Sequence, residues 1–114
     1  MPDILLFPGQ GSQFVGMGKD LFDNSNLAKE CYLRASDILG FDIADISFNG
    51  PEKSLKLTQY TQPAIFVHSI VIYKILESRG LTFSGVAGHS LGEFTAFVAA
   101  GVLTFEDAVK LVKV

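Results

Sequence analysis

The segment Gly88–Gly92 has the residue types and the spacing of a turn that presents a reactive serine. It reads Gly-His-Ser-Leu-Gly, follows the apolar run Phe83–Ala87 and opens a helical stretch at Glu93. A strand-to-helix turn this tight pushes the central hydroxyl outwards, and the residues two positions away on either side must lack side chains. The pattern therefore predicts Ser90 as a nucleophile and the Leu91 backbone N–H as a donor to a developing oxyanion. The alternative is a serine in an ordinary glycine-rich turn.

A second glycine-rich stretch, Pro8–Gly18, follows the short apolar run Asp3–Phe7. A nucleophile turn of this kind takes its other oxyanion donor from a loop after an earlier strand, so we expect the Gln10 backbone N–H to supply it. The alternatives are a plain turn and a phosphate-binding loop, and the spacing argues against the second. The dinucleotide-binding pattern needs a glycine at the position of Phe14, and the P-loop needs its first glycine at the position of Gln13.

Three motifs occur in order along the chain: FPGQGSQ at Phe7–Gln13, TQPA at Thr61–Ala64 and GHSLGE at Gly88–Glu93. Together they resemble the malonyl-CoA:acyl carrier protein transacylases. These are the stand-alone acyltransferases of fatty-acid synthesis, close kin of the acyltransferase domains of polyketide synthases. The resemblance covers the whole of the chain.

The resemblance implies Ser90 as the acylated nucleophile, with the backbone N–H groups of Gln10 and Leu91 as the oxyanion hole. It implies ping-pong transfer of a malonyl group from coenzyme A to the phosphopantetheine thiol of acyl carrier protein. Malonyl-CoA is then a substrate, the coenzyme A thioester and the acyl carrier protein are the partners, and neither a bound cofactor nor a metal is expected. Leu91 and the run Thr58–Gln62 are similar to malonyl-selective members.

Two further residues are candidates for the substrate pocket or for support of the site. His89 adjoins Ser90, but neighbouring side chains at such a turn diverge, so we interpret it as a pocket or structural residue rather than as the base. Gln62 has two interpretations: part of a helix N-cap region, or, as the resemblance implies, support for an arginine that binds the malonyl carboxylate. His68 and Cys31, the only cysteine in the sequence, lie in apolar helical segments and are predicted to be structural.

The sequence lacks a base for the predicted nucleophile. A serine needs a base within hydrogen-bond reach, and none of the 24 residues after Ser90 is a histidine. The resemblance implies that the catalytic histidine, the carboxylate-binding arginine, the second half of the sheet and a ferredoxin-like subdomain lie beyond Val114. Residues 1–114 are therefore expected to be an incomplete, N-terminal part of the large acyltransferase subdomain, inactive on its own.

The elements that must position these residues alternate between strands and helices. Strands are predicted over 3–7 and 83–87, and helices from 24 or 25 to 39 and over 51–57, 62–79, 93–100 and from 104 onwards. A short helix or a turn is predicted over 41–49. Asn24 or Ser25 can cap the start of one helix and Gly40 its end, and Thr104 with Asp107 forms a capping-box pattern. This order predicts an α/β fold with parallel strands, which the resemblance specifies as an α/β-hydrolase-like unit with a parallel sheet flanked by helices.

Composition excludes several classes of protein. A hydrophobic fraction of 48% with ten Phe is ample for a core. A net charge of −3 argues against a nucleic-acid-binding surface or a polybasic membrane patch. One cysteine excludes an internal disulfide and a cysteine-built zinc site. The N-terminus lacks a signal-peptide pattern and no run is apolar enough to span a membrane, so a soluble cytoplasmic protein is predicted.

Two other functions stay open at this point. A serine hydrolase or thioesterase uses the same nucleophile turn, and the exclusion of water together with a carboxylate-binding arginine distinguishes transfer from hydrolysis. The other is a non-catalytic, truncated fragment. The apolar helix over 62–79 and the last helix, which reaches Val114 without a stop signal, predict uncovered apolar surface and hence self-association.

Overall fold

The computed structural model describes residues 4–7, 13–80, 85–88, 92–101 and 103–112, and these ranges form two strands and seven helices. The strands are β1 (Ile4–Phe7) and β2 (Gly85–Gly88), within two residues of the predicted runs. The helices are α1 (Lys19–Asn24), α2 (Asn26–Leu39), α3 (Ile43–Asn49), α4 (Glu52–Leu55), α5 (Thr58–Ser78), α6 (Gly92–Ala99) and α7 (Phe105–Val112).

The capping chemistry predicted for α2 and α7 is confirmed. Ser25 Oγ accepts a hydrogen bond from the N–H of Ala28 at 3.2 Å, which satisfies one of the free donors at the start of α2. Gly40 ends this helix with φ of 84°, a left-handed conformation that glycine adopts without steric cost. At the start of α7, Thr104 Oγ1 accepts a hydrogen bond from the N–H of Asp107 at 3.1 Å.

Helix α5 begins at Thr58, four residues before its predicted start at Gln62. The Leu57 carbonyl accepts the first helical hydrogen bond from the N–H of Thr61 at 2.8 Å, so Pro63 lies inside the helix rather than in its first turn. The helix packs against α2, α3, α4, α6 and α7. Its buried residues are Thr61, Pro63, Ala64, Ile65, Phe66, Val67, Ser69, Ile70 and Val71. The predicted coverage of this helix on most of its faces is confirmed for this part.

Contacts across α5 join the helices into one core. Phe66 of α5 stacks on Phe105 of α7, with ring centroids 5.8 Å apart and an interplanar angle of 22°. Lys74 Nζ lies 5.7 Å from the centroid of the same Phe105 ring. The Arg34 guanidinium of α2 pairs with the Glu106 carboxylate of α7 at 2.7 Å. These contacts hold α7 against α2 and α5.

The predicted fold class, a parallel sheet flanked by helices, is wrong for the described residues. Their sheet is a single parallel pair, β1 with β2, of four residues each, and most of the chain is helical. Among the described helices, α6 makes the extensive contacts with the strands, whereas α2, α3, α5 and α7 pack on one another. The physical reason is that α2, α5 and α7 carry apolar faces that bury each other, and two short strands offer too little surface to cover them.

The last residues of the predicted glycine-rich loop form a turn directly before α1, a helix that the sequence did not predict. The N–H of Gly16 donates to the Ser47 carbonyl at 2.8 Å, and Met17 is only 2% exposed. Gly18 caps α1 with φ of 84°. A Cβ at Gly18 would overlap the hydroxyl oxygen of the fully buried Tyr32, so both the conformation and the space at this position require glycine.

Substitution Gly18→Ala is expected to destabilise the protein by about 1–3 kcal/mol, from left-handed strain and the overlap with Tyr32. The Tyr32 hydroxyl has no hydrogen-bond partner among the described residues, so Tyr32→Phe frees space without breaking a bond. We expect Tyr32→Phe to recover part of the loss in the double variant, measured by urea unfolding. Additive effects of the two substitutions would contradict this packing.

Candidate functional site

The last residues of the two strands, which directly precede the two predicted halves of the site, lie side by side at one edge of the sheet. β1 and β2 pair in parallel, and their last residues, Phe7 and Gly88, are register partners. Neighbouring parallel strands lie about 4.8 Å apart. The glycine-rich segment that holds Gln10 continues from Phe7, and the segment that holds Ser90 continues from Gly88. Both segments are therefore attached to adjacent strand ends at one edge of the sheet.

Helix α6 follows the predicted nucleophile at once. It begins at Gly92, two residues after Ser90, and ends at Ala99, one residue earlier at each end than predicted. It packs against β1 and β2 as well as α5 and α7. The N-terminus of a helix carries free N–H groups and a partial positive charge, which stabilise negative charge that develops next to it. The arrangement suits a reaction that passes through an oxyanion.

The residues predicted to react, Gln10, His89, Ser90 and Leu91, lie outside the described residues. Their roles as oxyanion donors, pocket residue and nucleophile therefore stay predictions. What the structure places is the framework on either side of them, namely the ends of β1 and β2 and the start of α6.

Gln62 lies in α5, in the part of the chain that the structure describes. Because the helix begins at Thr58, the interpretation of Gln62 as part of the N-cap region is wrong. Its motif neighbours Thr61, Pro63 and Ala64 are buried, and the Thr61 hydroxyl donates to the Leu55 carbonyl. Gln62 is half-buried, so within this motif it is the residue with a polar group partly open to solvent. Its support of a carboxylate-binding arginine stays a prediction.

His68 and Cys31 have the structural roles predicted for them. His68 is half-buried in α5, its ring faces the Gly18 turn, and burial lowers its pKa, which favours the neutral imidazole. Cys31 is 6% exposed, lines a cavity of about 230 Å³ between α2, α5 and α7, and has its pKa raised by burial. The raised pKa disfavours the thiolate of Cys31, which is the reactive form of a cysteine.

Within the described ranges, no three His, Cys, Asp or Glu side chains group together as metal ligands would. None of the helices in those ranges is long and apolar enough to cross a membrane.

A family model for the acyl transferase domain matches residues 4–114. The chain belongs to this family. Within this family, the predicted resemblance to malonyl transacylases is confirmed by similar proteins that carry that name. The chain is 46% identical, over 109 residues and 95% of its length, to a malonyl CoA-acyl carrier protein transacylase of Bacillus subtilis, of which it covers 27%. It is also 46% identical, over 109 residues and 96% of its length, to a malonyl CoA-acyl carrier protein transacylase of Staphylococcus aureus strain COL, of which it covers 35%.

Solved acyl transferase structures have the same fold as the described residues. One is similar at 40% identity with a TM-score of 0.94, over 99% of this chain and 37% of the other. Its description is a type II PKS acyl-carrier protein in complex with its malonyl-transacylase. The chain thus spans between 27% and 37% of the length of these relatives and of this solved structure.

Proposed function

We propose that these residues carry the nucleophile half of an enzyme that transfers a malonyl group from coenzyme A to acyl carrier protein. The observation that supports this proposal most is the parallel pairing of Phe7 with Gly88. It starts the segments of Gln10 and Ser90 at neighbouring points of one edge, and α6 begins two residues after the serine. A nucleophile and two backbone oxyanion donors require this convergence.

In the proposed reaction, the Ser90 hydroxyl attacks the thioester carbonyl of malonyl-CoA while a base takes its proton. The carbonyl oxygen becomes an oxyanion, which accepts hydrogen bonds from the N–H groups of Gln10 and Leu91. When the tetrahedral intermediate collapses, the carbon–sulfur bond breaks and the coenzyme A thiolate leaves with the proton from the base. A malonyl ester on Ser90 results.

The second half-reaction repeats these steps in reverse with a different thiol. The phosphopantetheine thiol of acyl carrier protein gives its proton to the base and attacks the ester carbonyl, and Ser90 recovers its proton as the ester bond breaks. The names of the relatives support malonyl-CoA and acyl carrier protein as the two substrates. A cytoplasmic location and self-association through uncovered apolar surface stay predictions from the sequence.

The 114-residue chain alone is expected to show no turnover. We expect the base to come from a part of the longer enzyme that this sequence does not contain, as the resemblance implies, and a positioned base contributes up to about 10⁴-fold in rate. The measurement is release of free coenzyme A thiol from malonyl-CoA in the presence of acyl carrier protein, for this chain and for a longer enzyme that contains it. Equal turnover by the two would contradict the proposed need for a base beyond Val114.

A further inference from the structure

Helix α6 begins two residues after the proposed nucleophile, and its other end makes a hydrogen bond to a side chain of α5. The carbonyl of Ala99, the last residue of α6, accepts a hydrogen bond from the Tyr73 hydroxyl of α5 at 3.0 Å. Two other carbonyls of the last turn are satisfied locally, Ala96 by the N–H of Ala100 and Val98 by the N–H of Gly101. The hydrogen bond from Tyr73 therefore connects this end of α6 to α5.

Tyr73 is well placed to hold α6 because its own helix is fixed. The residues one turn before it, including Ile70 and Val71, are fully buried in the core. The Tyr73 hydroxyl also lies 3.1 Å from Glu77 Oε2, so two acceptors share its single proton. The ring is half-buried, and the bond to Ala99 is partly shielded from water. Shielding strengthens such a bond relative to one on an open surface.

We propose that Tyr73 is a positioning residue, whose hydrogen bond to the Ala99 carbonyl sets the tilt of α6 and thereby the position of the Ser90 hydroxyl. This inference rests on the proposed function. An eight-residue helix is about 12 Å long, so a small tilt released at Ala99 moves the segment before Gly92 by a fraction of an ångström or more. A misplacement of a reacting group by about 1 Å can lower the rate about 10²-fold, so loss of the Tyr73–Ala99 hydrogen bond is expected to have a measurable effect on the rate.

The kinetic test compares Tyr73→Phe with wild type in a longer enzyme that transfers malonyl. Loss of the hydroxyl is expected to lower the rate of Ser90 acylation about tenfold, with the KM for malonyl-CoA changed by less than about twofold, because positioning acts on the reacting atoms. Ser78→Ala is the matched control, since it removes a hydroxyl from the same helix that bonds the Ile75 carbonyl within α5 at 2.7 Å. The control is expected to acylate at the wild-type rate.

A second variant separates the two acceptors of the Tyr73 proton. Glu77→Gln keeps the size of the side chain and removes the carboxylate that competes with the Ala99 carbonyl. It is expected to retain the wild-type acylation rate, because the Tyr73 proton stays available to Ala99. If Glu77→Gln lowered the acylation rate as much as Tyr73→Phe does, the proposed role of the hydrogen bond to Ala99 would be overturned.

Amide hydrogen exchange of the 114-residue chain tests the role of the Tyr73–Ala99 hydrogen bond without a measurement of enzymatic activity. Tyr73→Phe is expected to raise exchange in α6 about tenfold while leaving α2 unchanged. Unchanged exchange in α6, or an equal rise in all helices, would overturn the inference. If the wild-type enzyme formed no Ser90 ester, the proposed function would be overturned. If Tyr73→Phe still raised exchange in α6 alone, the stabilisation of α6 by the Tyr73–Ala99 hydrogen bond would stand.

Discussion

Substitution Ser90→Ala is expected to lower malonyl transfer by a longer enzyme that contains this chain by at least about 10⁴-fold. Without the hydroxyl there is no atom to form the ester, and the oxyanion donors and the bound substrate alone give little catalysis. The measurement is transfer of labelled malonyl to acyl carrier protein under initial-rate conditions. The thermal midpoint of unfolding is recorded beside it, to show that the variant is folded.

Ser54→Ala is a suitable control, because Ser54 lies in α4, a helix that makes no extensive contact with the strands or with α6. It is expected to transfer malonyl at the wild-type rate. A Ser90→Ala enzyme with more than a few per cent of wild-type activity would mean that another residue is the nucleophile.

Substitution Phe66→Ala is expected to have the largest effect on stability, a loss of about 3–5 kcal/mol in the free energy of unfolding. Phe66 is fully buried in α5 and stacks on Phe105 of α7. Truncation removes apolar surface from the core and leaves a cavity between two helices that also contact each other through Lys74 and Phe105. The measurement is urea unfolding followed by circular dichroism, with the slope of the transition checked for two-state behaviour.

Phe14→Ala provides the matched control for this substitution. The Phe14 side chain is 60% exposed, so its loss is expected to change the free energy of unfolding by no more than about 0.5 kcal/mol. If Phe66→Ala and Phe14→Ala cost the same, α5 cannot be the centre of the core.

Local chemistry allowed much of the helical structure to be predicted. Ser25, Gly40 and Thr104 mark helix ends because they satisfy backbone groups in the way that the structure shows. The start of α5 was predicted too late because proline favours the first turn of a helix, and Pro63 was placed there. In the structure Pro63 lies deeper in the helix, where proline is tolerated at the loss of one hydrogen bond. The six-residue α1 had too short a pattern to be recognised.

Tertiary contacts decided what the sequence could not. The apolar faces of α2, α5 and α7 fit a sheet or other helices equally well by periodicity, and they bury one another here. The glycines around Ser90 predict the turn, but the pairing of Phe7 with Gly88, the strand ends that precede the Gln10 and Ser90 segments, could not be predicted from sequence pattern alone. The bond between Tyr73 and Ala99 joins residues 26 positions apart and leaves no pattern in the sequence.

The most direct test of Ser90 as the nucleophile of malonyl transfer is the mass of the Ser90 peptide after brief exposure of a longer, malonyl-transferring enzyme to malonyl-CoA. The peptide is expected to gain the mass of one malonyl group and to lose it again when acyl carrier protein is added, with the carrier gaining the same mass. A malonyl group found on another residue, or one released only as free malonate, would contradict the account.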